Sequence, residues 1–294
     1  MNVVQLIALA RARLDDTRIP YLWSDDELLT YLVKVTYEWH REVAPIRDST
    51  TPEVTRIYLL SNTHTYSIHP SILKIVVAIL DSTGVPLHPI TESDLYGFST
   101  SWRKNTGQPY LCIPQYETGS IRIVPYYDAV GYVGGQSVFS GNIVTINTTE
   151  DLRNHFSNGD MINISGTALN DGVYTITNVS IDTITVSVSL ANESANALLR
   201  KVRDTLLLSV DRMMVTPLSL SEPTRSPEIR VENHMDLVDG ILREAYLKAD
   251  TETYDPQRSM RHSVSFETAK DRARSDFLLL RDTNPILKPH MGCL

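Results

Sequence analysis

Apolar residues recur every three or four positions near both ends of the chain and every second position through its middle. Val3, Leu6, Ile7, Ala10 and Leu14 fall on one helical face, and Pro20 stops anything that would continue from it. Ser24 and Glu27 have the spacing of a capping box, with Trp23 and Leu28 placed as a hydrophobic staple. Leu28, Leu32, Val35, Trp39 and Val43 then repeat until Pro45, the strongest helical pattern in the chain.

From Thr55 the texture changes to short β-type runs at Arg56 to Leu60, Thr65 to Ile68, Leu73 to Leu80, Tyr110 to Ile113 and Ser120 to Val124. Gly84, Pro86, Gly107, Pro109 and Gly119 separate them, and Thr91 to Leu95 reads as a helical turn. These runs predict a small antiparallel sheet beside the helices. Residues 131–203 are rich in Asn, Thr, Ser, Val and Ile, and alternate at Asn142 to Asn147, Asp160 to Ser165, Gly172 to Val179 and Thr183 to Leu190. Thr205 to Val215 is again strand-like and is expected to pair with Ser120 to Val124. The expectation is an inserted all-β domain, sandwich or barrel-like, with its ends close together.

The last third is helical again. Leu237, Val238, Ile241, Leu242, Ala245 and Tyr246 form one stripe, and Met260, Val264, Ala269, Ala273, Phe277 and Leu280 form another that starts after Asp255-Pro256. Beyond Asp282, Pro285 and Pro289 forbid a regular helix while Ile286, Leu287, Met291 and Leu294 stay apolar, so this segment is expected to dock on something. The fold class is thus α+β. Its core is residues 1–130 and 204–282, the inserted domain is 131–203, and the docking tail is 283–294.

Composition narrows the function more than it defines it. The 294 residues are 42% hydrophobic and 21% charged, as in ordinary globular proteins, and the formal net charge is −8. That charge disfavours a general nucleic-acid binder. Two cysteines, Cys112 and Cys293, exclude a disulfide framework and make thiolate zinc ligation unattractive. No signal peptide is visible, and no apolar run has the roughly 20 residues a membrane helix needs.

Candidate chemistry is thin. Ser71 and Lys74 have Ser-x-x-Lys spacing but lead into a strand rather than a helix. Hydrolase, zincin and nucleotide-loop motifs are missing. His64, His69 and His88 lack a spacing that fixes a metal, and Asp25, Asp26 and Glu27 suit the positive end of a helix better than acid–base work. The bases from Arg258 to Arg281 are interleaved with Glu267, Asp271, Asp276 and Asp282, which suits a salt-bridged, solvated face. Asn147, Asn163, Asn178 and Asn192 open Asn-x-Ser/Thr triplets, but no secretion signal accompanies them. No enzyme, metal or cofactor is expected. A wall-degrading hydrolase would need two converging carboxylates that spacing does not single out.

Leu22 to Leu32 on the long helix, Ser67 to Ile75 at the entry to the sheet, Pro227 to Ile229 before His234 to Asp239, and Ala245 to Asp250 with Glu252 to Pro256 together resemble the head-to-tail adaptor proteins of tailed bacteriophages. The likeness covers Met1 to Val130 and Asp204 to Leu294; the stretch 131–203 departs from the minimal pattern and looks like small β modules of phage tail and decoration proteins. The resemblance implies a structural virion protein at the head–tail junction, or neck, assembled in the host cytoplasm. It implies a homo-oligomeric ring, commonly a dodecamer, between the portal and a tail or nozzle protein, through which DNA is ejected without specific binding. It also implies that the last segment reaches the portal, with Ile286, Leu287, Met291 and Leu294 as anchors. An acidic wall suits such a conduit, since it repels phosphates. In an alternative reading the β insertion is a binding or decoration module for a fibre, a tail protein or a surface glycan, and Phe139, Phe156 and Tyr174 are its candidate aromatic contacts.

Overall fold

The computed structural model describes residues 1–98 and 101–282. It contains both helices and sheets, an α+β protein as the patterning indicates. Spatial proximity divides the chain into two compact units. One comprises Met1–Arg47, Ser71–Lys74 and the described chain from Asp211 onward; the other comprises Asp48–Pro70 and Ile75–Val210.

The first unit is helical. It holds α1 (Val3–Leu14), α2 (Asp25–Glu42), α5 (Asp236–Ala245) and α6 (Pro256–Asp282). Asn2 and Gln5 cap α1 reciprocally, and Ser24 and Glu27 do the same for α2, with the Ser24 amide donating to the Glu27 carboxylate at 2.7 Å. The stripe from Leu28 to Val43 is buried throughout and packs with Leu6, Ala10, Leu237, Ile241 and Phe266 in one core. Burial of Leu28, Leu32 and Val35 contributes roughly 1.5–3 kcal/mol each.

The connection between α1 and α2 is held by a buried charge rather than by apolar contact. The Arg11 guanidinium donates to Asp16 at 2.6 Å, to Asp25 at 2.6 Å and to the Trp23 carbonyl at 2.8 Å. Asp16 in turn accepts from the Leu22 and Trp23 amides. Trp23 is thereby set in place for its indole to donate to the Ala245 carbonyl at 3.0 Å and to meet Tyr246 edge-on.

The expected stripe on α6 is corrected. Met260 and Val264 are 71% and 61% exposed, and the buried positions are Ser259, Phe266, Ala269, Lys270 and Ala273. Ala269 and Ala273 of the expected stripe do face inward, and α6 buries with them the stem of Lys270, which was expected on a solvated face.

The second unit begins with the short elements β1 (Ile46–Asp48, its last residue only) and α3 (Pro52–Thr55). Two sheets follow. The smaller runs β3 (Thr65–Ser67), β7 (Ser120–Val124), β6 (Leu111–Pro114), β5 (His88–Pro89), with Tyr66 opposite Ile121 and Cys112 opposite Ile123. The turn read at Thr91 to Leu95 is α4 (Glu92–Phe98), which sits over this sheet's small core of Leu95, Trp102, Ile113 and Val124.

The other sheet is organised by a single thirty-residue strand, β11 (Thr183–Arg212). Two separate strands were expected there, with the later one on Ser120–Val124. Instead β11 continues through Ala191 to Ser194, with register shifts between Thr185 and Leu190 and between Leu190 and Glu193. Its later part pairs with β2 (Arg56–Leu60), Leu206 opposite Ile57, and also with β4 (Ile72–Leu80). Its earlier part pairs with β8 (Tyr132–Ile146), β9 (Met161–Ser165) and β10 (Gly172–Val179). These strands enclose a core of their own, running from Val133 to Leu199 and including Phe139, Phe156, Ile162, Ile164 and Ile184.

Two glycines sit where no side chain fits. Gly131 has φ +85° and a Cβ there would lie 2.4 Å from Lys201 Cβ, which lets the Lys201 amide donate to the Gly131 carbonyl at 2.6 Å. Gly240 on α5 faces α2 and α6, and a Cβ there would lie 2.7 Å from Val35 Cγ1 and 3.2 Å from Phe266. Gly240→Ala adds helix propensity worth about 1 kcal/mol but overpacks at a cost of about 1–3 kcal/mol. We expect a net loss of up to about 2 kcal/mol in urea unfolding; a gain would show that the helices part without cost.

Candidate functional site

The residues that could have carried chemistry do not converge. Ser71 is buried and leads into β4, while Lys74 on that strand is exposed, so the helix start that Ser-x-x-Lys catalysis needs is missing. His64 contacts Thr65 Oγ1 at 2.8 Å and meets Tyr126 edge-on, whereas His88 lies in β5. Among the described residues no three His, Cys, Asp or Glu side chains are grouped to hold a metal ion. Asp25, Asp26 and Glu27 occupy the first turn of α2, where Glu27 is a cap and Asp25 a partner of Arg11. Burial pushes the Cys112 thiol up to about 11, so at neutral pH it is an inert core group.

The insertion's aromatic candidates are packing groups. Phe139 and Phe156 are buried, and Tyr174 packs on the same core while donating to the Asn170 carbonyl at 3.1 Å. The Ile286, Leu287, Met291 and Leu294 anchors lie outside the described residues.

A dense constellation of charge joins α2, α5 and α6. Lys270 is almost fully enclosed, and its ammonium reaches Glu38 at 2.7 Å, Glu42 at 2.6 Å and Glu267 at 2.8 Å. Arg243 grips the other face of Glu38 at 3.1 and 2.6 Å and leans on Glu244, which pairs with Lys34 at 2.6 Å. The Phe266 ring lies 5.1 Å from both the Lys270 ammonium and the Arg243 guanidinium carbon. Burial opposes the charge on Glu38, but Arg243 and Lys270 outweigh it and hold the carboxyl at about 2. Burial also opposes the charge on Lys270, and Glu267, Glu38 and Glu42 outweigh it and raise its pKa. This is a clamp between helices, in which every one of these charged groups is already paired with another. Sequence reading placed Lys270 on a solvated face; the Glu267 partner three residues earlier was legible, while Glu38 and Glu42 were too distant in sequence to be assigned.

Most of the exposed residues of α6 are charged or polar, but Met260, Val264, Leu278 and Leu279 on it and Leu247 and Tyr254 before it are also exposed.

Because Glu38 titrates at about 2 in the fold against an ordinary 4.5, its contribution is complete above that ordinary value and is lost as pH falls toward 2. Lys270→Met removes a donor from Glu38 and leaves the neighbouring carboxylates facing one another. We expect a loss of about 3 kcal/mol at neutral pH and acid unfolding that begins at higher pH, both read by circular dichroism. An unchanged acid transition would show that Arg243 alone sets Glu38.

Comparison with known proteins places the chain. A search of curated proteins finds no match. Among solved structures, a similar chain is FlgL of Xanthomonas campestris, 9% identical, covering 96% of this chain and 79% of that one; its TM-score of 0.14 carries no argument about fold. No described helix is long and apolar enough to cross a membrane. The sequence pattern of the SU10 adaptor protein family matches residues 1–285, and the chain therefore belongs to this family of phage structural adaptor proteins.

Proposed function

We propose that this chain is one subunit of a homo-oligomeric ring that joins the portal at the capsid vertex to the tail and lets DNA pass. The observation that carries the reading is membership of the SU10 adaptor family over residues 1–285. The exposed apolar side chains of α6 support it, because identical subunits side by side would cover them. The net charge of −8 agrees with a conduit wall that does not hold DNA. In this reading residues 1–130 and 204–282 are the adaptor core and 131–203 an inserted β domain. The tail 283–294 binds the portal through Ile286, Leu287, Met291 and Leu294, and a tail or nozzle protein binds the opposite face.

Purified chain mixed with its portal is expected to give a symmetric annulus by negative-stain microscopy, commonly twelvefold. A chain that stays monomeric and ignores the portal contradicts the proposal. Ile286→Asp with Leu287→Asp is expected to weaken portal binding at least about tenfold while leaving the fold intact by circular dichroism; unchanged binding would remove those residues from the portal interface.

A second reading concerns the insertion alone. Leu169, Ile181 and Val188 are exposed on strands and turns whose core is complete without them, which favours a docking device for a fibre or another tail component. Deletion of residues 132–200 with a short Gly-Ser link is expected to preserve ring assembly and abolish a later attachment step. Loss of assembly would make the insertion structural instead.

A further inference from the structure

The helical unit contains a concave apolar site at the C-terminal end of α2. Pro45 stops that helix, and the chain turns away to leave a groove of about 400 Å³ between it, the 228–233 loop and α6. Trp39, Val43, Pro45, Ile229, Ala273 and Phe277 line it. Its volume is in the range of sites that enclose apolar groups, and the 228–233 loop adds Glu228, Arg230 and Asn233 to its lining.

Two of the lining residues come from α6 near where the chain leaves it. The described part of α6 runs to Asp282, roughly 7.5 Å along its axis from Phe277. Pro285 forbids continuation, and residues 283–294 can span up to about 40 Å when extended. The segment beyond Asp282 is therefore long enough to double back along α6 and reach every wall of the groove. Its apolar residues, Ile286, Leu287 and Met291, begin within the first few positions after the helix. A tether this short gives an effective concentration on the order of millimolar, far above that of a second copy in dilute solution.

We propose that in the free subunit this groove seats the chain's own segment from Ile286 to Met291. The contact is independent of the portal reading, because it concerns the isolated chain. A competing surface has to bind the segment tightly enough to draw it out.

The test is hydrogen exchange on the dilute full-length chain, compared with Ile286→Asp and Leu287→Asp variants. Amides of Val43, Ala44 and residues 229–233 are expected to exchange about tenfold faster in each variant, with α1 unchanged as a control for folding. No change in either variant overturns the proposal. Protection that appears only as concentration rises assigns the groove to a second copy and also overturns it. A second measurement leaves the segment's apolar residues intact: a nitroxide placed on Cys293, selective because Cys112 is buried, is expected to broaden the Trp39 indole N–H resonance within the same molecule. Broadening seen only between differently labelled chains, or not at all, refutes the seat. Portal binding can fail while both signatures persist, so the two readings fall separately.

Discussion

Lys270 sets a positive charge in a nearly dry position and surrounds it with three carboxylates drawn from two helices. An ammonium there is tolerable only while Glu38, Glu42 and Glu267 remain within hydrogen-bond reach, so α6 cannot slide or rotate on α2 without stranding a charge. Apolar side chains alone would tolerate several registers. The Arg243 guanidinium extends the same constraint to α5 through Glu38. Beneath it, Gly240 lets Val35 and Phe266 approach closely enough to share one core. The outer residues of α6 are thus presented in a fixed register although they contribute little to the unit's own core.

The same principle operates at the other end of α2. Asp16 and Asp25 converge on Arg11, and the intervening loop gives its amides and a carbonyl to the same group of atoms. Trp23 is delivered to Ala245 and Tyr246 as a result. Precision in the helical unit comes from charge, and bulk stability comes from the Leu and Val stripe of α2.

Local patterning made α1, α2 and α5 legible because each has a continuous stripe and a recognisable start or stop. On α6 the stripe from Met260 to Ala273 contained a five-residue step between Val264 and Ala269, which no single helical face accommodates. The inward face depends on Lys270, and a buried lysine becomes intelligible only once Glu38 and Glu42 are brought to it. In the β region, β7 and β10 were readable to the residue, but the alternation was followed only from Thr183 to Leu190 and again from Thr205, so β11 was divided at the residues between. A strand can absorb such residues by shifting register, and which strands pair is a long-range matter that alternation does not encode. The groove beside Phe277 was not legible, since its walls come from three distant stretches.

The bond between Gly131 and Lys201 has an evolutionary consequence. Where the chain departs into β8 and where it returns along β11, the backbone is joined by a direct hydrogen bond, so the doorway is only about one peptide wide. Selection is therefore held to glycine at position 131, where any Cβ would collide with Lys201.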